Sequence, residues 1–271
     1  MSIDELELWD GYYTCITNKA GHGKKKCLAA LIKGTRNEVL SKALAKVPFE
    51  IRLNVVEMTL DFANSMDWIC RTNFPNARLV GDRFHAQKLV NEAVQEIRIQ
   101  LKREWIDEET RQRDMARQEK RKYLETLLSN GDSRRQLLSR SNRLLTQPGD
   151  RWKTQQADRA TVLFEVYPAL KKAHQLAMQF RNMYESCKTR AEAEIYWKQW
   201  QKDVQKSSLP VMKSMAASLQ HQEGKILAFF PDRSTNAGAE SFNAKLKGFR
   251  TLLRGITDIN FFLYRVCKIY A

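Results

Sequence analysis

Three carboxylates in the 271-residue chain occupy positions from which they could share divalent metal ions. Asp4 lies in the first predicted strand, Asp61 ends the fourth, and Glu240 begins a late helix. If the first strand lies beside the fourth, the two aspartates are neighbours, and a helix packed across that edge can bring Glu240 to them. Carboxylates are ligands that Mg²⁺ prefers. Two such ions about 3.5–4 Å apart would stabilise the attacking and leaving oxygens of a phosphoryl transfer.

Each of these side chains also has a simpler structural role. Asp61 and Asp82 could cap the helices that follow them, and Asp4 could be an exposed strand residue. Glu240 could be a favourable acid in the first turn of its helix. His85, three residues after Asp82, could be a structural histidine at a helix start. The residue types alone leave both interpretations open.

The segment 54–85 predicts how two of the aspartates are positioned. An apolar run ends at Asp61, residues 62–74 form a short helix that Pro75 closes, and the run 78–80 ends just before Asp82. Two short strands joined by such a helix indicate a parallel β-α-β crossover. Ligands of open α/β sheets bind beyond the carboxyl ends of the strands, which is where both aspartates fall.

The rest of the chain predicts an α/β protein with three segments. Strands at about 3–9, 12–17 and 27–32 and a helix at 36–46 precede the crossover, so residues 1–90 form the first part of a mixed sheet. Residues 91–225 are predicted to be helical, with helices at about 159–186, 189–205 and 209–222. Residues 226–271 close the core, with a short apolar run at 225–230 and a helix at 239–250 that carries Glu240 and Asn243 on one face.

The composition restricts the partners. Lys and Arg number 46 against 31 Asp and Glu, a formal net charge of +15, which favours a polyanion such as DNA. The five cysteines are scattered without a CxxC pair, which argues against a disulfide framework or a Cys-based zinc site. No apolar run approaches the roughly 20 residues of a membrane helix. We therefore expect a soluble, cytoplasmic protein that does not enter membranes.

Four motifs in fixed order carry a resemblance to a known family. They are SIDE at the start, VEMTLDFANSM, FPNARLVGDRFHAQKL and, far along the chain, STNAGAESFNAKLKGFR. This order closely resembles the DDE transposases of bacterial insertion sequences, in particular the ISL-three group, over nearly the whole chain. The resemblance implies a ribonuclease H-like fold with a large helical insertion before the glutamate helix.

The resemblance also implies an activity and a site. Asp4, Asp61 and Glu240 would be the catalytic metal ligands, binding Mg²⁺ or Mn²⁺, two ions in all. Asp82 and His85 match an Asp-x-x-His signature and, with Asn243, would be auxiliary. The protein would cleave DNA at insertion-sequence ends and transfer the 3′-hydroxyl to a target. A ribonuclease H-like nuclease or resolvase, or a non-catalytic DNA-binding protein derived from a transposase, are the alternatives.

The partners that the resemblance implies are transposon ends and target DNA, bound by a homo-oligomer in the bacterial nucleoid. Relatives usually carry zinc-binding and helix-turn-helix segments ahead of the first strand, whereas Met1 lies three residues before Asp4. We expect that this module is either trimmed or a separate polypeptide.

Two further sets of residues are predicted to contact DNA. Near the glutamate helix, four cations would hold phosphates, or else form a solvated helix end: Lys245, Lys247, Arg250 and Arg254. Trp197 and Trp200 lie three residues apart on one helix face, among lysines. They are either core residues or a stacking surface for an unpaired base.

Overall fold

The computed structural model describes residues 1–253 and 257–271 and divides the chain into two compact units. The first unit combines Met1–Ala86 with Gln222–Ala271, and the second is Gln87–His221. Within the described part of the chain, we find no helix with the length and apolar character needed to span a membrane.

The first unit contains a five-stranded mixed sheet with the order β3-β2-β1-β4-β5. Its strands are β1 Ser2–Leu8, β2 Gly11–Thr17, β3 Leu28–Lys33, β4 Glu57–Leu60 and β5 Arg78–Gly81. β2 is antiparallel to both β1 and β3, whereas β1, β4 and β5 are mutually parallel. The predictions that the first strand lies beside the fourth and that a parallel crossover joins β4 to β5 are confirmed.

The first unit also contains helices, several of which pack on the two faces of the sheet. They are α1 Asn37–Leu44, α2 Phe49–Leu53, α3 Asn64–Asn73, the start of α4 Arg83–Gln118, and later α11 Glu223–Leu227, α12 Ala237–Leu252 and α13 Ile259–Tyr270. One core cluster joins Ile3 and Leu60 to buried residues of α1 and α3. The other joins Leu6 to Phe242 of α12 and Phe262 of α13.

The alternation of side chains along the strands decides which face the acidic residues occupy. Successive strand residues point to opposite faces. Ile3 and Leu60 belong to the α1 and α3 face, so Asp4 and Asp61 belong to the face that α12 covers. Leu79 also belongs to the α1 and α3 face, which places Asp82, three positions later, on the α12 side as well.

The second unit consists of the rest of α4 and further helices. These are α5 Arg134–Arg140, α6 Asn142–Leu145, α7 Thr154–Val166, α8 Pro168–Ser186, α9 Arg190–Lys206 and α10 Pro210–Gln220. The prediction of one helix over 159–186 is wrong. Tyr167 leaves the helical conformation (φ −129°, ψ 77°), and Pro168 starts a new helix, because proline disfavours a helical conformation in the residue before it and suits the first helical position.

Candidate active site

Three aspartates form a row across the parallel strands of the first unit. Ser2 of β1 pairs with Thr59 of β4, and extending this register by two residues places Asp4 opposite Asp61. Leu60 pairs with Gly81 of β5, so that the next pair is Asp61 with Asp82. The row lies at the carboxyl ends of β4 and β5, the edge at which α/β sheets bind ligands.

Helix α12 brings a fourth carboxylate to this row. Ligand atoms of Asp82, His85 and Glu240 all lie within 4.8 Å of one another. Glu240 is exposed in the first turn of α12, whereas Phe242 and Leu246 on another side of the helix are fully buried in the core. The packing of those two residues fixes the rotation of the helix and thereby the direction of Glu240.

Asp82 is fully buried, and both of its oxygens are engaged. Oδ1 accepts a hydrogen bond from the backbone N–H of Asn236 at 3.3 Å, and Oδ2 lies 3.0 Å from Nδ1 of His85. The hydrogen bond to Asp82 raises the pKa of His85 above its ordinary value, against the opposing effect of burial. Asp82 therefore orients His85, and His85 keeps Nε2 for another partner.

Asp4 is held by groups from its own strand and from α12. Its Oδ1 accepts from the N–H of Glu5 at 2.9 Å, and its Oδ2 accepts from Nδ2 of Asn243 at 2.8 Å. Burial raises the pKa of Asp4 to about 6, and the negative charges of Glu240 and Asp61 act in the same direction. Asp4 therefore shares one electrostatic environment with the other two predicted metal ligands.

Asp61 makes a local contact ahead of α3 but does not cap that helix, whose N-cap is Ala63 without a side-chain capping hydrogen bond. Its Oδ1 accepts a hydrogen bond from the N–H of Ala63, the residue that precedes α3, at 2.9 Å. This contact uses one carboxylate oxygen and fixes the side chain beside β4. Its structural role and its predicted role as a metal ligand are therefore compatible.

Asn236 is the residue that sequence reasoning missed. It is fully buried before α12 and receives a hydrogen bond from Oγ1 of Thr59 at 3.2 Å. Its Nδ2 donates to the carbonyl of Ile3 at 3.5 Å, and its N–H donates to Asp82. It thus joins β1, β4 and the end of β5 to the start of α12. An asparagine before a helix suggests an N-cap, but this side chain makes no capping hydrogen bond.

The predicted DNA-binding cations lie in different environments. Lys247 is exposed, and Lys245 donates a hydrogen bond from Nζ to the carbonyl of Gly23 at 3.2 Å. The guanidinium of Arg250 lies 4.5 Å from the ring centre of Trp9, a contact within the protein. Arg254 lies outside the described residues. DNA contact by these residues stays a prediction.

Trp197 and Trp200 belong to the core of the second unit. Each is 1% exposed, and their ring centres are 5.4 Å apart. Trp200 packs against Phe180 at 4.9 Å and donates from Nε1 to the carbonyl of Leu176 at 2.8 Å. Neither ring offers a free face to a base. The interpretation as a stacking platform is therefore wrong, and the core interpretation holds.

Residues 1–266 match the family model of DDE transposases of the ISL-three group, which is described as "Transposase". No curated protein and no solved structure matches the chain. The matched region includes the whole second unit, all but the last five residues of the first, and every acidic residue of the candidate site.

Proposed function

Because the chain belongs to the ISL-three family of DDE transposases, we propose that it cleaves DNA strands at insertion-sequence ends and joins the resulting 3′-hydroxyl groups to target DNA. The observation that carries the proposal is the gathering of acidic residues from β1, β4, β5 and α12 on one face of the sheet. The strand order β3-β2-β1-β4-β5, with β2 antiparallel to its neighbours, supports a ribonuclease H-like fold.

The side chains at this site suit a hard divalent cation such as Mg²⁺ or Mn²⁺. The donors are carboxylate oxygens, which such cations prefer. Oδ1 of Asn243 is buried and has no hydrogen-bond partner among the described residues, and an amide oxygen is also a ligand of this class. Burial raises the pKa of Asp4, and the negative charges of Glu240 and Asp61 act in the same direction, so a cation placed among these carboxylates would be stabilised. These features favour a metal site.

We assign Asp4, Asp61 and Glu240 as the residues that would hold the metal ions. Asp82 is close to Glu240, but it is fully buried and its oxygens bind Asn236 and His85, whereas Asp4 is only partly buried. An anchoring role therefore suits Asp82 better. When bound, a pair of divalent ions stabilises the charge on the attacking and leaving oxygens of a phosphodiester.

The protein's own groups would position the reacting DNA. Asn243 holds Asp4 through its amide, and Asn236 ties the start of α12 to the strands that carry the aspartates. His85, with Nδ1 fixed by Asp82, can direct Nε2 to an oxygen of the substrate phosphate. Each of these contacts restricts a side chain to one orientation before DNA binds, which lowers the cost of ordering the site.

The test is strand cleavage of DNA that carries the element's own ends, with Mg²⁺ or Mn²⁺ and with a second DNA as target. Asp61→Asn should abolish cleavage because it removes a metal ligand, while DNA binding stays roughly unchanged because no phosphate contact is lost. The matched control is Asp107→Asn, which makes the same change at an exposed position of the second unit.

Three outcomes are informative. Loss of cleavage in Asp61→Asn but not in Asp107→Asn supports the assignment. Full cleavage by Asp61→Asn would contradict it and make Asp82 the ligand from β5. Cleavage by the wild-type protein without joining to target DNA would indicate a nuclease or resolvase.

A further inference from the structure

A second site lies in the first unit, where α12 faces the loop between β2 and β3. It is a cavity of about 400 Å³. Basic and hydroxyl-bearing side chains line much of it: Lys19, His22, Ser234, Thr235, Ser241 and Lys245. Among the described residues that line this cavity, none is acidic. We call it the β2–β3 loop cavity.

The loop is shaped to meet Lys245. Gly23 has a φ of +69°, and a Cβ placed there would lie 2.7 Å from Nζ of Lys245. A larger residue at this position would therefore push the ammonium away from the loop. Nζ donates to the carbonyl of Gly23 at 3.2 Å. Because an ammonium carries three N–H donors, this contact leaves Lys245 with further donors to direct into the cavity.

Glu57 holds the opposite side of the cavity in place. Its carboxylate accepts from Nζ of Lys19 at 2.9 Å and from Arg78 at 2.6 Å. Hydrogen bonds from Ser234, Arg78 and Lys19 lower the pKa of Glu57 to about 2, although burial acts in the opposite direction. This carboxylate fixes Lys19 and Ser234 at the ends of two separate loops. The charge of Lys19 is largely compensated by Glu57, so Lys245 is the principal cation of the cavity.

We propose that the β2–β3 loop cavity binds a phosphate group of the DNA backbone. Hydroxyl groups and ammonium groups are the usual side-chain partners of backbone phosphates, which fix the position of DNA without reading its sequence. The inference rests on the proposed function, since it takes the polyanion to be the DNA substrate. The cavity shares no residue with the candidate active site, although both use α12.

The two sites would hold different phosphates. Glu240 and Asn243 meet Asp82 and Asp4, whereas Ser241 and Lys245, one turn apart, line the cavity. A phosphate in the cavity would be held by protein cations, and the reacting phosphate would lie at the carboxylates. Helix α12 would then set the register between the DNA backbone and the cleavage site.

The experiment measures binding of fluorescent duplex DNA over a series of KCl concentrations, with three variants of the full chain. Lys245→Gln removes the main cation, and Ser241→Asp adds a negative charge to the cavity lining one helical turn from Lys245. Lys42→Gln is the matched control, because Lys42 is exposed on α1, which covers the other face of the sheet. Circular dichroism confirms that each variant is folded.

Loss of one phosphate contact should reduce the slope of log affinity against log salt by about 0.9, which corresponds to about an eightfold difference per decade of salt. We expect this change for Lys245→Gln, a loss at least as large for Ser241→Asp, and none for Lys42→Gln. If folded Lys245→Gln and Ser241→Asp proteins keep the wild-type slope, the proposal is wrong.

A second arm separates DNA from free phosphate. Inorganic phosphate is titrated with each protein and its ³¹P line width is measured. Line broadening that Lys245→Gln abolishes, with an unchanged DNA slope, would make free phosphate the ligand and overturn the DNA assignment. Failure of the proposed function would give a different result. The wild-type protein would then not cleave DNA, while the salt slope of DNA binding would still change in Lys245→Gln. If cleavage is present and the slope stays constant, the cavity proposal alone fails.

Discussion

Substituting Asp4 with asparagine should make the metal-free protein more stable at neutral pH. The pKa of Asp4 is raised from 3.8 to about 6. The unfolded chain therefore loses this proton more easily than the folded one. Ionisation of Asp4 lowers the free energy of unfolding, an effect that is nearly absent below pH 3.8 and complete above about pH 6. A shift of about two units corresponds to at most about 3 kcal/mol, at 1.36 kcal/mol per unit, and solvent screening reduces this value because Asp4 is only partly buried.

Asparagine removes the charge and keeps most of the local hydrogen bonding. Its amide oxygen can still accept from the N–H of Glu5. Its amide group can donate to Asn243, whose Oδ1 has no partner among the described residues and could turn toward it. This rearrangement gives up the weak contact from Asn243 to the carbonyl of Glu5, at 3.4 Å. We therefore expect a net gain of about 2 kcal/mol in the free energy of unfolding at pH 7.5.

The assay is thermal unfolding at pH 7.5 and at pH 4, with and without Mg²⁺ or Mn²⁺. For a unit of this size the gain corresponds to a rise in Tm of about 4–8 °C. The rise should be present at pH 7.5 and nearly absent at pH 4. Added metal should stabilise the wild-type protein, because a ligand that binds the folded state raises Tm, but should have a much smaller effect on Asp4→Asn.

Two results would refute this reasoning. A variant less stable than the wild type at pH 7.5 would mean that the charge of Asp4 is already compensated. An equal change in Tm at both pH values would mean that the effect does not come from ionisation. Asp107→Asn serves as the control for the substitution itself, since its side chain is exposed.

Three other predictions test the packing and the supporting contacts. Trp200→Phe should destabilise the protein by about 1 kcal/mol more than Trp197→Phe in urea unfolding. The reason is that Nε1 of Trp200 donates to the carbonyl of Leu176, whereas Nε1 of Trp197 is buried without a hydrogen-bond partner among the described residues. Equal losses of stability in the two variants would contradict this. The ion pairs of Glu57 hold its pKa near 2, so wild-type stability should fall as pH drops from about 4.5 toward 2, and Glu57→Gln should flatten that dependence in acid titrations followed by circular dichroism. Asn236→Ala should cost about 1–3 kcal/mol and also reduce cleavage, and a variant that keeps full cleavage would show that Asn236 does not position α12.

The strands and the aspartates at their ends were predictable because they depend on local signals. The apolar run before Asp61 has the length and composition of a buried strand, and the helix after it ends at Pro75. Short connections of this kind leave few topologies for parallel strands. The break at Tyr167 was also accessible, since Pro168 disfavours a helical conformation in the residue before it.

The partners of each acidic residue were not predictable, because they depend on how distant elements pack. Glu240 lies 158 positions after Asp82 in the chain. It meets Asp82 and His85 because the buried side chains of Phe242 and Leu246 fix the rotation of α12. Asn236 has the residue type of an N-cap, and only the neighbouring strands give it its other hydrogen bonds. Likewise, the spacing of two tryptophans on one helix face is the same for a core pair as for an exposed platform.

The distribution of charge around α12 predicts the order in which DNA binds and its reacting phosphate enters the candidate active site. The chain carries a net charge of +15, yet carboxylates from three strands and a helix meet at the candidate active site. A DNA phosphate that approaches these groups without a metal ion is repelled, whereas one that enters the β2–β3 loop cavity meets Lys245 and no acidic lining residue among those described. DNA should therefore bind through its backbone before the reacting phosphate is seated, and metal should change cleavage far more than affinity. If a chelator reduces DNA affinity as strongly as it reduces cleavage, this order of binding is wrong.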